Sequence, residues 1–509
     1  MKYRVIDLFA GPGGLSEGFA SYGGGSKFEI VVSAEMESSA HRTLTLRSFF
    51  RHIKGDRKAL RAYYDFCHSD AAPHPGELAP NAWAIATAEA RQLTLGYAEH
   101  DRVLDEILRK ARLKEDQTIL IGGPPCQAYS LVGRSRNLGK RDYVAEEDHR
   151  HFLYREYLRI LHRMRPAVFV MENVRGILSA RVNGGFVFHD ILRDLTDPGK
   201  ALRVGNGPRY TIHSLERPAT FTRDDNPSDI DLSSFVIEAE RHGIPQARHR
   251  VILLGIRDDL QYGGGHSLPL VKPLNVQHAI AGLPALRSRL SRDDSTHLWC
   301  DTVHTQALKL VKQAEKKGLD ALALQLRLGA LGIGTYTDTG GLRYKRQDSQ
   351  TADSFGKWVI DPKLEVVLNH ESRSHMPADL ARYFYSAAFG RAYNRSPKGH
   401  LDFALKGLAP NHANWETGKF EDRFRVQRYE TPSTTVTSHI AKDGHYFIHP
   451  DTVQCRSLTV REAARLQTFP DNYFFQGTRT QQYHQVGNAV PPLLANKIAG
   501  VVSDILDRL

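Results

Sequence analysis

The sequence has few cysteines and lacks the segments that mark secreted, membrane or fibrous proteins. Its 509 residues include four cysteines, Cys67, Cys126, Cys300 and Cys455, and no two of them form a CxxC pair. This spacing argues against a zinc ribbon or a disulfide framework and is typical of a reducing cytoplasm. No apolar run approaches the roughly 20 residues that span a bilayer, and no low-complexity tail or repeat is evident. A strand-like segment begins at residue 3, so we expect no signal or transit peptide.

The composition is that of a globular protein with an excess of positive charge. Hydrophobic residues make up 41% of the chain and charged residues 25%, the usual balance for soluble domains. A chain of this length is expected to form two or three domains with a large core. The formal net charge of +11 and the isoelectric point of about 9.3 indicate a polyanionic partner, such as a nucleic acid.

Apolar strand-like runs alternate with helical patterns through the first 260 residues. Strands separated by helices predict parallel βαβ units, and therefore an α/β fold with a doubly wound, mostly parallel sheet. The predicted strands cover residues 3–9, 29–34, 118–121, 167–171 and 250–256.

Changes in composition divide the chain into three predicted parts. Residues 1–260 form the α/β domain, with an insertion at about 47–116 that is longer than a simple crossover needs and is expected to be helical. Three glycines at 263–265 mark the start of a second, smaller and irregular domain over residues 261–440. Residues 441–509 are predicted to return to the first domain, with helices over 459–469 and 493–509.

The most informative motif is GGPPCQ at residues 122–127, directly after the apolar run 118–121. Its glycines and prolines force a sharp turn. Cys126 is therefore expected at the carboxyl end of a buried strand, the edge of an open α/β sheet at which ligands bind. A free cysteine is more often a small buried hydrophobic residue, but a second motif of suitable chemistry follows further along the chain.

That second motif is the apolar strand 166–174, which ends in Glu172 and Asn173. Poor solvation at the tip of a buried strand favours the protonated form of a carboxyl, which makes Glu172 suitable as an acid near neutral pH. The alternatives are a carboxylate at a helix start or a structural ion pair with Arg175. Together, Cys126 and Glu172 are a plausible nucleophile and proton donor.

Residues 5–15, VIDLFAGPGGL, are typical of a strand, a glycine-rich turn and a helix start. Glycines let the backbone approach a ligand closely, and a helix N-terminus attracts negative groups. The spacing differs from the GxGxxG dinucleotide pattern, and such a turn alone is more often structural. Glu35, at the end of the next strand, is suited to bind both hydroxyls of a ribose. The glycine-rich turn and Glu35 together predict a nucleoside-containing cofactor. Phe9 is expected against its adenine or a sulfonium, and Met36 against the other face of the adenine.

In their order and spacing, the motifs resemble those of DNA cytosine-5 methyltransferases. The matching segments are 7–19, 122–130, 172–174, 244–250 (IPQARHR), 456–471 and 485–491 (QVGNAVP). Such a set is highly specific, because each motif lies in the expected context. Residues from about 260 to 430 carry no match, and in this family that part is the variable target-recognition region.

The resemblance implies a role for each matching residue, with S-adenosylmethionine as the methyl donor and no metal. Cys126 is the implied nucleophile, and Glu172 is the implied acid, helped by Asn173. Arg250, and with it Arg248, is implied to contact the flipped cytosine or to hold the site. The implied cofactor residues are Phe9, Gly11, Gly14, Leu15, Glu35, Met36, Pro125, Asn488 and Val490.

Two positions depart from the family's pattern. The family usually has an acid after its third strand that binds the adenine amine. Here the insertion obscures that position, and Asp101 and Asp116 are the two candidates. Met36 stands where an aromatic residue is often found.

The implied reaction explains why these residue types are needed. Addition of the Cys126 thiolate to carbon 6 of cytosine, with protonation at N3, makes carbon 5 nucleophilic towards a methyl sulfonium. The base must first be flipped out of the duplex, at a cost offset by phosphate contacts from basic residues and hydroxyls such as Ser130. The basic segment 131–141 is interpreted as a loop that closes over DNA, with a solvated surface loop as the alternative. Segments 423–428 and 434–439 are predicted to belong to the recognition side.

Other functions stay open at this point. An RNA (tRNA) cytosine-5 methyltransferase is disfavoured by the bulk of residues 260–430, which suits reading of a duplex groove. A catalytically silent DNA-binding homologue is disfavoured by the intact site residues, and a nicotinamide oxidoreductase by the glycine spacing. We expect a cytoplasmic, monomeric enzyme of the restriction-modification type that binds double-stranded DNA and no membrane. The recognition sequence, and whether a restriction partner exists, do not follow from the chain.

Overall fold

The computed structural model describes residues 2–125, 149–182, 184–260, 262–346, 353–411, 415 and 421–509. Cys126, Ser130 and the segment 131–141 lie outside the described residues, so what the sequence predicts for them stays a prediction.

Five strands were predicted from the sequence, and all five are confirmed as β1, β2, β4, β5 and β12. The strands of the described residues are β1 (Tyr3–Leu8), β2 (Phe28–Glu35), β3 (Ala90–Gln92), β4 (Thr118–Gly122), β5 (Val168–Val174), β6 (Arg181–Val182), β7 (Gly185–Phe186), β8 (Tyr210–His213), β9 (Thr220–Phe221), β10 (Val236–Glu238), β11 (Gln246–Ala247), β12 (His249–Arg257), β13 (Arg289–Leu290), β14 (Gly340–Lys345), β15 (Val366–Glu371), β16 (Ser374–His375) and β17 (Ser433–Thr434).

The two helices predicted near the end of the chain are confirmed as α16 and α18. The α-helices of the described residues are α1 (Gly14–Ser21), α2 (Ser38–His52), α3 (Arg57–His68), α4 (Pro75–Leu78), α5 (Pro80–Glu89), α6 (Ala98–Ala111), α7 (His149–Met164), α8 (Val187–Thr196), α9 (Pro198–Leu202), α10 (Val276–Ile280), α11 (Thr296–Lys316), α12 (Asp320–Gly332), α13 (Ser354–Val359), α14 (Pro377–Tyr393), α15 (Gly399–Asp402), α16 (Val460–Leu466), α17 (Arg479–Asn488) and α18 (Pro492–Leu506).

The central sheet has the strand order β3-β2-β1-β4-β5-β12-β8-β9, and β10 pairs with one end of β12. Strands β3, β2, β1, β4 and β5 are parallel, so their carboxyl ends lie along one edge. Strand β12 differs from the expected parallel arrangement, because it runs antiparallel to β5 and β8. An apolar run predicts a strand but not its direction. The antiparallel course brings Arg250 opposite Val174, at the edge where β5 ends.

Helices cover both faces of the sheet. On one face, Ile6 and Leu120 pack in a core with residues of α6, α7 and α8. On the other face, Val5 and Ile121 pack in a second core with α1 and α18. Neighbouring residues of a strand point to opposite faces, and both faces are buried, which explains why these strands are apolar throughout.

One stretch of the described residues, Arg479–Leu506, is long and apolar enough to cross a membrane by length and composition. The structure divides this stretch into α17 and α18, and 72% of its apolar 18-residue window is buried inside the protein. Helix α18 lies so close to α1 that a Cβ atom built on Gly18 would be 2.3 Å from the Cβ of Ala495. The stretch is therefore part of the core.

The segment 47–116 contains the end of α2 and helices α3 to α6, but it is not only a helical insertion. It also supplies β3, which forms the edge of the central sheet by pairing with the end of β2. Its helices pack through Phe49 and Tyr63 against Leu368 and Phe474 from much later in the chain. The segment therefore supports the end of β2, where the sequence predicts the cofactor site.

The region predicted to be irregular contains well-formed helices. Helices α11, α12 and α14 share a core of their own that includes Trp299, Leu326 and Phe384. The buried residues of α11 recur every three to four positions, which is a helical pattern. The abundance of basic and polar residues between them concealed this pattern in the sequence. The domain boundaries at 260 and 440 stay predictions.

Candidate functional site

The carboxyl ends of β1, β2, β4 and β5 border a cavity of about 520 Å³. Glu172 and Asn173 line it, at the end of β5. Of the nine predicted cofactor residues, eight also line it: Phe9, Gly11, Leu15, Glu35, Met36, Pro125, Asn488 and Val490. The predicted reaction site and cofactor site are thus parts of one cavity.

The turn after β1 has an unusual backbone. Phe9, Gly11 and Gly13 all have left-handed conformations, with φ values of 60°, 57° and 98°. Glycine adopts such values freely, whereas an aromatic residue does so at an energetic cost that is typical of ligand-binding turns. The turn brings the backbone nitrogen of Gly11 within 2.8 Å of Oε2 of Glu35, to which it donates a hydrogen bond.

Two glutamates at the end of β2 are held by backbone hydrogen bonds. Glu35 accepts from the nitrogen atoms of Gly11 and Glu37, at 2.8 and 2.6 Å, and burial raises its pKa. Glu37 caps α2 by accepting from the nitrogen of Ala40 at 2.7 Å. Burial opposes ionisation of Glu37, but hydrogen bonds from Ser39 and Ala40 outweigh it and lower the pKa. Both carboxylates are therefore fixed in place.

Gly14, the ninth predicted cofactor residue, does not line the cavity. It lies where α1 passes the segment between α17 and α18, and a Cβ atom built on Gly14 would be only 2.2 Å from the backbone oxygen of Val490. The glycine is therefore needed for close packing behind the cavity wall. Sequence reasoning assigned it to the ligand because close approach to a ligand and close approach to a backbone require the same residue type.

Gly14→Ala is expected to lower the free energy of unfolding by about 1–3 kcal/mol, the usual cost of overpacking. The added methyl group meets a backbone atom, which cannot turn away as a side chain can. Denaturant unfolding of the purified variant measures the effect. Gly55→Ala is the matched control, because nothing lies within 4 Å of the Cβ position there. An unchanged unfolding midpoint for Gly14→Ala would contradict the contact.

Glu172 forms an ion pair across the β5–β12 pairing. Its Oε1 atom lies 3.0 Å from Nε of Arg250, and both side chains are only slightly exposed, at 12% and 13%. The sequence left open a structural ion pair between Glu172 and Arg175. The structure instead pairs Glu172 with Arg250, because β12 runs antiparallel to β5 and brings Arg250 alongside. The Oε2 atom of Glu172 lies beside Gly123, where a Cβ atom would approach it to 3.0 Å.

Asn173 connects the end of β5 to the turn after β4. Its amide oxygen accepts a hydrogen bond from the nitrogen of Val174 at 2.8 Å, and its amide nitrogen donates to the oxygen of Pro124 at 3.4 Å. Pro124 and Pro125 directly precede Cys126. Asn173 thus fixes the backbone that leads into the predicted nucleophile.

Arg248 is buried and bound to backbone oxygens of two distant segments. Its guanidinium donates to the oxygen of Val436 at 2.8 Å and to the oxygen of Gly487 at 3.2 Å. Burial lowers the pKa of Arg248, and the neighbouring Arg250 adds to this effect. Of the two roles predicted for Arg248, these contacts support that of holding the site together.

Neither predicted candidate for an adenine-binding acid reaches the cavity. Asp101 accepts a hydrogen bond from the nitrogen of Gly96 at 2.9 Å, and so stabilises the turn before α6. Asp116 pairs with Arg257, near the amino end of β4 and therefore at the opposite edge of the sheet. The residues that do follow β3 and line the cavity are Leu93 and Leu95, which sequence reasoning missed. Leu93 and Leu95 are two positions apart, the spacing of residues on one side of a strand, and this pattern could have indicated them.

The cavity also has polar residues from α17 that were not predicted. Gln481, His484 and Gln485 line it. The spacing of Gln481, His484 and Asn488 places them on one face of a helix. Gln485 is the first residue of the predicted motif at 485–491. Gln481 and His484 precede it within one helical turn on α17, so extending the motif by one turn would have included them.

A second, larger cavity of about 870 Å³ lies beside Ala247, on the turn that leads into β12. The predicted recognition segments contribute six lining residues: Arg423, Arg425, Thr434, Thr435, Thr437 and His439. Lys442, Tyr446 and Phe447 also line the cavity but lie outside the predicted segments. Gln427, within the first segment, instead has a buried side chain that donates to the oxygen of Tyr446. The cavity has both polar and apolar walls, and Ala247 in its lining is two residues before the start of β12.

The chain is similar over nearly its whole length to known proteins. The family model for C-5 cytosine-specific DNA methylase matches residues 3–68, 83–204 and 229–504. The chain is 32% identical to a type II methyltransferase, M.Bpa9945I of Bacillus paralicheniformis, over 99% of both chains. It is 26% identical to the DNA (cytosine-5-)-methyltransferase M.ApeKI of Aeropyrum pernix, over 100% of both chains. A crystal structure from E. coli, described as a candidate DNA modification methyltransferase encoded within a prophage, shares the fold, with a TM-score of 0.54 and 19% identity over 99% of both chains.

Proposed function

The chain belongs to the C-5 cytosine-specific DNA methylase family, and on this premise we propose that it methylates carbon 5 of a flipped cytosine in a specific duplex sequence through a covalent Cys126 adduct. The observation that carries the proposal is the position of Glu172, which pairs with Arg250 and lines the same cavity as Pro125, the residue before Cys126. Relatives are named type II methyltransferases, so we further propose that it acts in, or derives from, a restriction-modification system.

The residues of the cavity fit S-adenosylmethionine. A volume of about 520 Å³ is within the usual range for small-molecule sites. The fixed carboxylate of Glu35 can accept hydrogen bonds from both hydroxyls of a ribose, and Phe9 and Met36 offer apolar contact for an adenine ring. When bound, S-adenosylmethionine supplies an electrophilic methyl group.

Cys126 and Glu172 together make the target carbon reactive. The Cys126 sulfur forms a bond to carbon 6 of cytosine while a proton passes from the Glu172 carboxyl to N3, so that the electron pair of the 5,6 double bond becomes available at carbon 5. After methylation, loss of the proton on carbon 5 and departure of the sulfur restore the double bond. Serine would be a weaker nucleophile at neutral pH.

Arg250 positions the carboxyl that must deliver the proton. Its ion pair with Oε1 of Glu172 leaves Oε2, beside Gly123, directed towards the turn that precedes Cys126. A guanidinium cannot lose its proton in proteins, so Arg250 holds Glu172 without competing as an acid. Arg248 acts one step further away, by joining the turn before β12 to Val436 and Gly487.

The cavity beside Ala247 is proposed as part of the DNA-binding surface. It lies next to the end of β12 that carries Arg250. Its lining includes Arg423 and Arg425, which pair with the lining carboxylates of Asp443 and Asp422, and the exposed Lys442. Basic side chains there would contact phosphates, which position the duplex but do not read its sequence. The net charge of +11 suits this contact.

Lys442→Ala is expected to weaken DNA binding and to reduce its salt dependence. Each phosphate contact that is lost lowers the slope of log K against log salt concentration by about 1. Titration of a labelled duplex at several salt concentrations measures the slope. Lys58→Ala is the matched control, since Lys58 is exposed on α3 and lies outside this cavity. Equal slopes for both variants and the wild type would show that Lys442 does not contact a phosphate.

One experiment tests the proposed function as a whole. The gene is expressed in a host without cytosine-5 methylation, and 5-methylcytosine positions are mapped in the genomic DNA. A single recurrent sequence context establishes both the activity and the target, while methylation of tRNA without methylation of DNA would refute the proposal. Gel filtration of the pure protein tests the proposed monomer, and fractionation of the cells tests the proposed cytoplasmic, DNA-associated location.

A further inference from the structure

The order of strands along the sheet divides the cavity into a reactive end and a base end. Glu172 lies on β5, and the turn before Cys126 follows the neighbouring strand β4. Glu35 lies at the end of β2, and β3 is the next strand beyond β2. Neighbouring strands are about 4.8 Å apart, so β3 is about 14 Å from β4. If the ribose binds at Glu35 and the methyl group at β4, the adenine extends towards β3.

The wall at this end of the cavity is apolar. Leu93 and Leu95 line it, and only 5% and 3% of these residues is exposed. They also belong to the core beneath the sheet, where they pack with residues of α6 and α7. The nitrogen of Leu93 donates to the oxygen of Glu35 at 3.0 Å, which continues the pairing of β3 with β2. This wall is therefore a rigid part of the core.

Of the described carboxylates near this wall, Glu35 and Asp101 have other partners, and Glu37, which also lines the cavity, is engaged through one of its two oxygens. Glu35 is bound by two backbone nitrogens and suited to the ribose. Glu37 caps α2 through the oxygen that accepts from Ser39 and Ala40. Asp101 binds Gly96, outside the cavity. The side chain of Gln92, the last residue of β3, donates to the oxygen of Met36 and does not line the cavity.

We infer that the chain binds the adenine of its methyl donor by apolar contact with Leu93 and Leu95, without a side-chain carboxylate for the 6-amino group. This inference rests on the proposed function and adds a specificity property to it. A site that binds a substrate amine with a buried polar group rejects analogues without that amine strongly, whereas an apolar wall does not. The chain should therefore bind cofactor analogues that are changed at position 6 of the purine with little loss of affinity.

Calorimetric titration of the full chain without DNA tests the inference. The ligands are S-adenosylhomocysteine and its analogue in which hydrogen replaces the 6-amino group, so that only this group differs. We expect the two Kd values to differ by no more than about tenfold, the range of one uncharged hydrogen bond. A ratio clearly above that, approaching about a hundredfold, is the loss expected for a bond to a charged acceptor and would overturn the inference.

Glu37→Gln provides a second, independent arm, because Glu37 is the nearest carboxylate with an exposed side chain. The inference predicts that this variant changes both Kd values by the same factor, as the control Glu99→Gln on α6 also should. Selective weakening of the adenine compound in Glu37→Gln would identify Glu37 as the acceptor and overturn the inference. Absence of binding by S-adenosylhomocysteine itself would instead refute the proposed cofactor, so the two failures are distinguishable.

Discussion

Replacement of Cys126 by alanine is expected to abolish methyl transfer while duplex DNA still binds. Without the sulfur, no covalent bond to carbon 6 forms, and carbon 5 stays a poor nucleophile. Loss of a catalytic nucleophile typically costs about 10⁴-fold or more in rate. DNA affinity depends mainly on phosphate contacts, which this substitution leaves in place. Methyl incorporation and duplex titration on the same preparation measure both quantities.

Cys300→Ala is the matched control for this prediction, because Cys300 lies on α11 outside the cavity and its loss should leave the rate unchanged. DNA that contains 5-fluorocytosine adds a direct readout. Fluorine at carbon 5 cannot leave as a proton does, so the sulfur cannot depart and the adduct accumulates. The wild type should become irreversibly attached to this DNA and Cys126→Ala should not. Turnover near the wild-type rate in Cys126→Ala would show that Cys126 is not the nucleophile.

Glu172→Gln is expected to slow methyl transfer by about 10²-fold or more, the usual contribution of a general acid. Glutamine keeps the shape of the side chain but cannot release a proton to N3. It keeps an oxygen that can accept from Arg250 but loses the ionisable carboxyl that Arg250 contacts, so some of the loss reflects positioning. Single-turnover measurements with saturating DNA isolate the chemical step from binding.

A second variant separates the acid role from positioning. Arg250→Lys keeps a cation near Glu172 but loses the fixed geometry of the guanidinium, so its rate should fall less than that of Glu172→Gln. Glu77→Gln, at an exposed position on α4, is the control for loss of a carboxylate elsewhere. Single-turnover rates of Glu172→Gln equal to those of the wild type would exclude the residue as proton donor.

The parts of the fold that local sequence determines were predictable. The apolar runs of β1, β2, β4, β5 and β12 are continuous because both sheet faces are buried, and the glycine and proline turns that follow them mark the edge with the cavity. Glu35 was predictable for the same reason, because it ends such a run. Eight of the nine predicted cofactor residues line one cavity, because they lie at strand ends, in the turns that follow, at the start of α1 or on the motif at 485–491.

Features that depend on partners distant in the chain were not predictable. The direction of β12, and with it the pairing of Arg250 rather than Arg175 with Glu172, depends on how the chain crosses the sheet. Asp101 and Asp116 were plausible only while the position of β3 was unknown. The helices of residues 296–393 are stabilised by their shared core, which local composition does not reveal. Tertiary packing, more than propensity, decides such elements.

The wall of the cavity joins segments that are far apart in the sequence, since Phe9, Gly11, Asn488 and Val490 all line it. During translation, the proposed cofactor site therefore cannot form until residues 488–490 have been synthesised. A molecule bound there contacts both segments at once. At a hundred times its Kd, such a molecule adds about 2.7 kcal/mol to the stability of the folded state, so we expect S-adenosylhomocysteine to slow proteolysis of the pure protein.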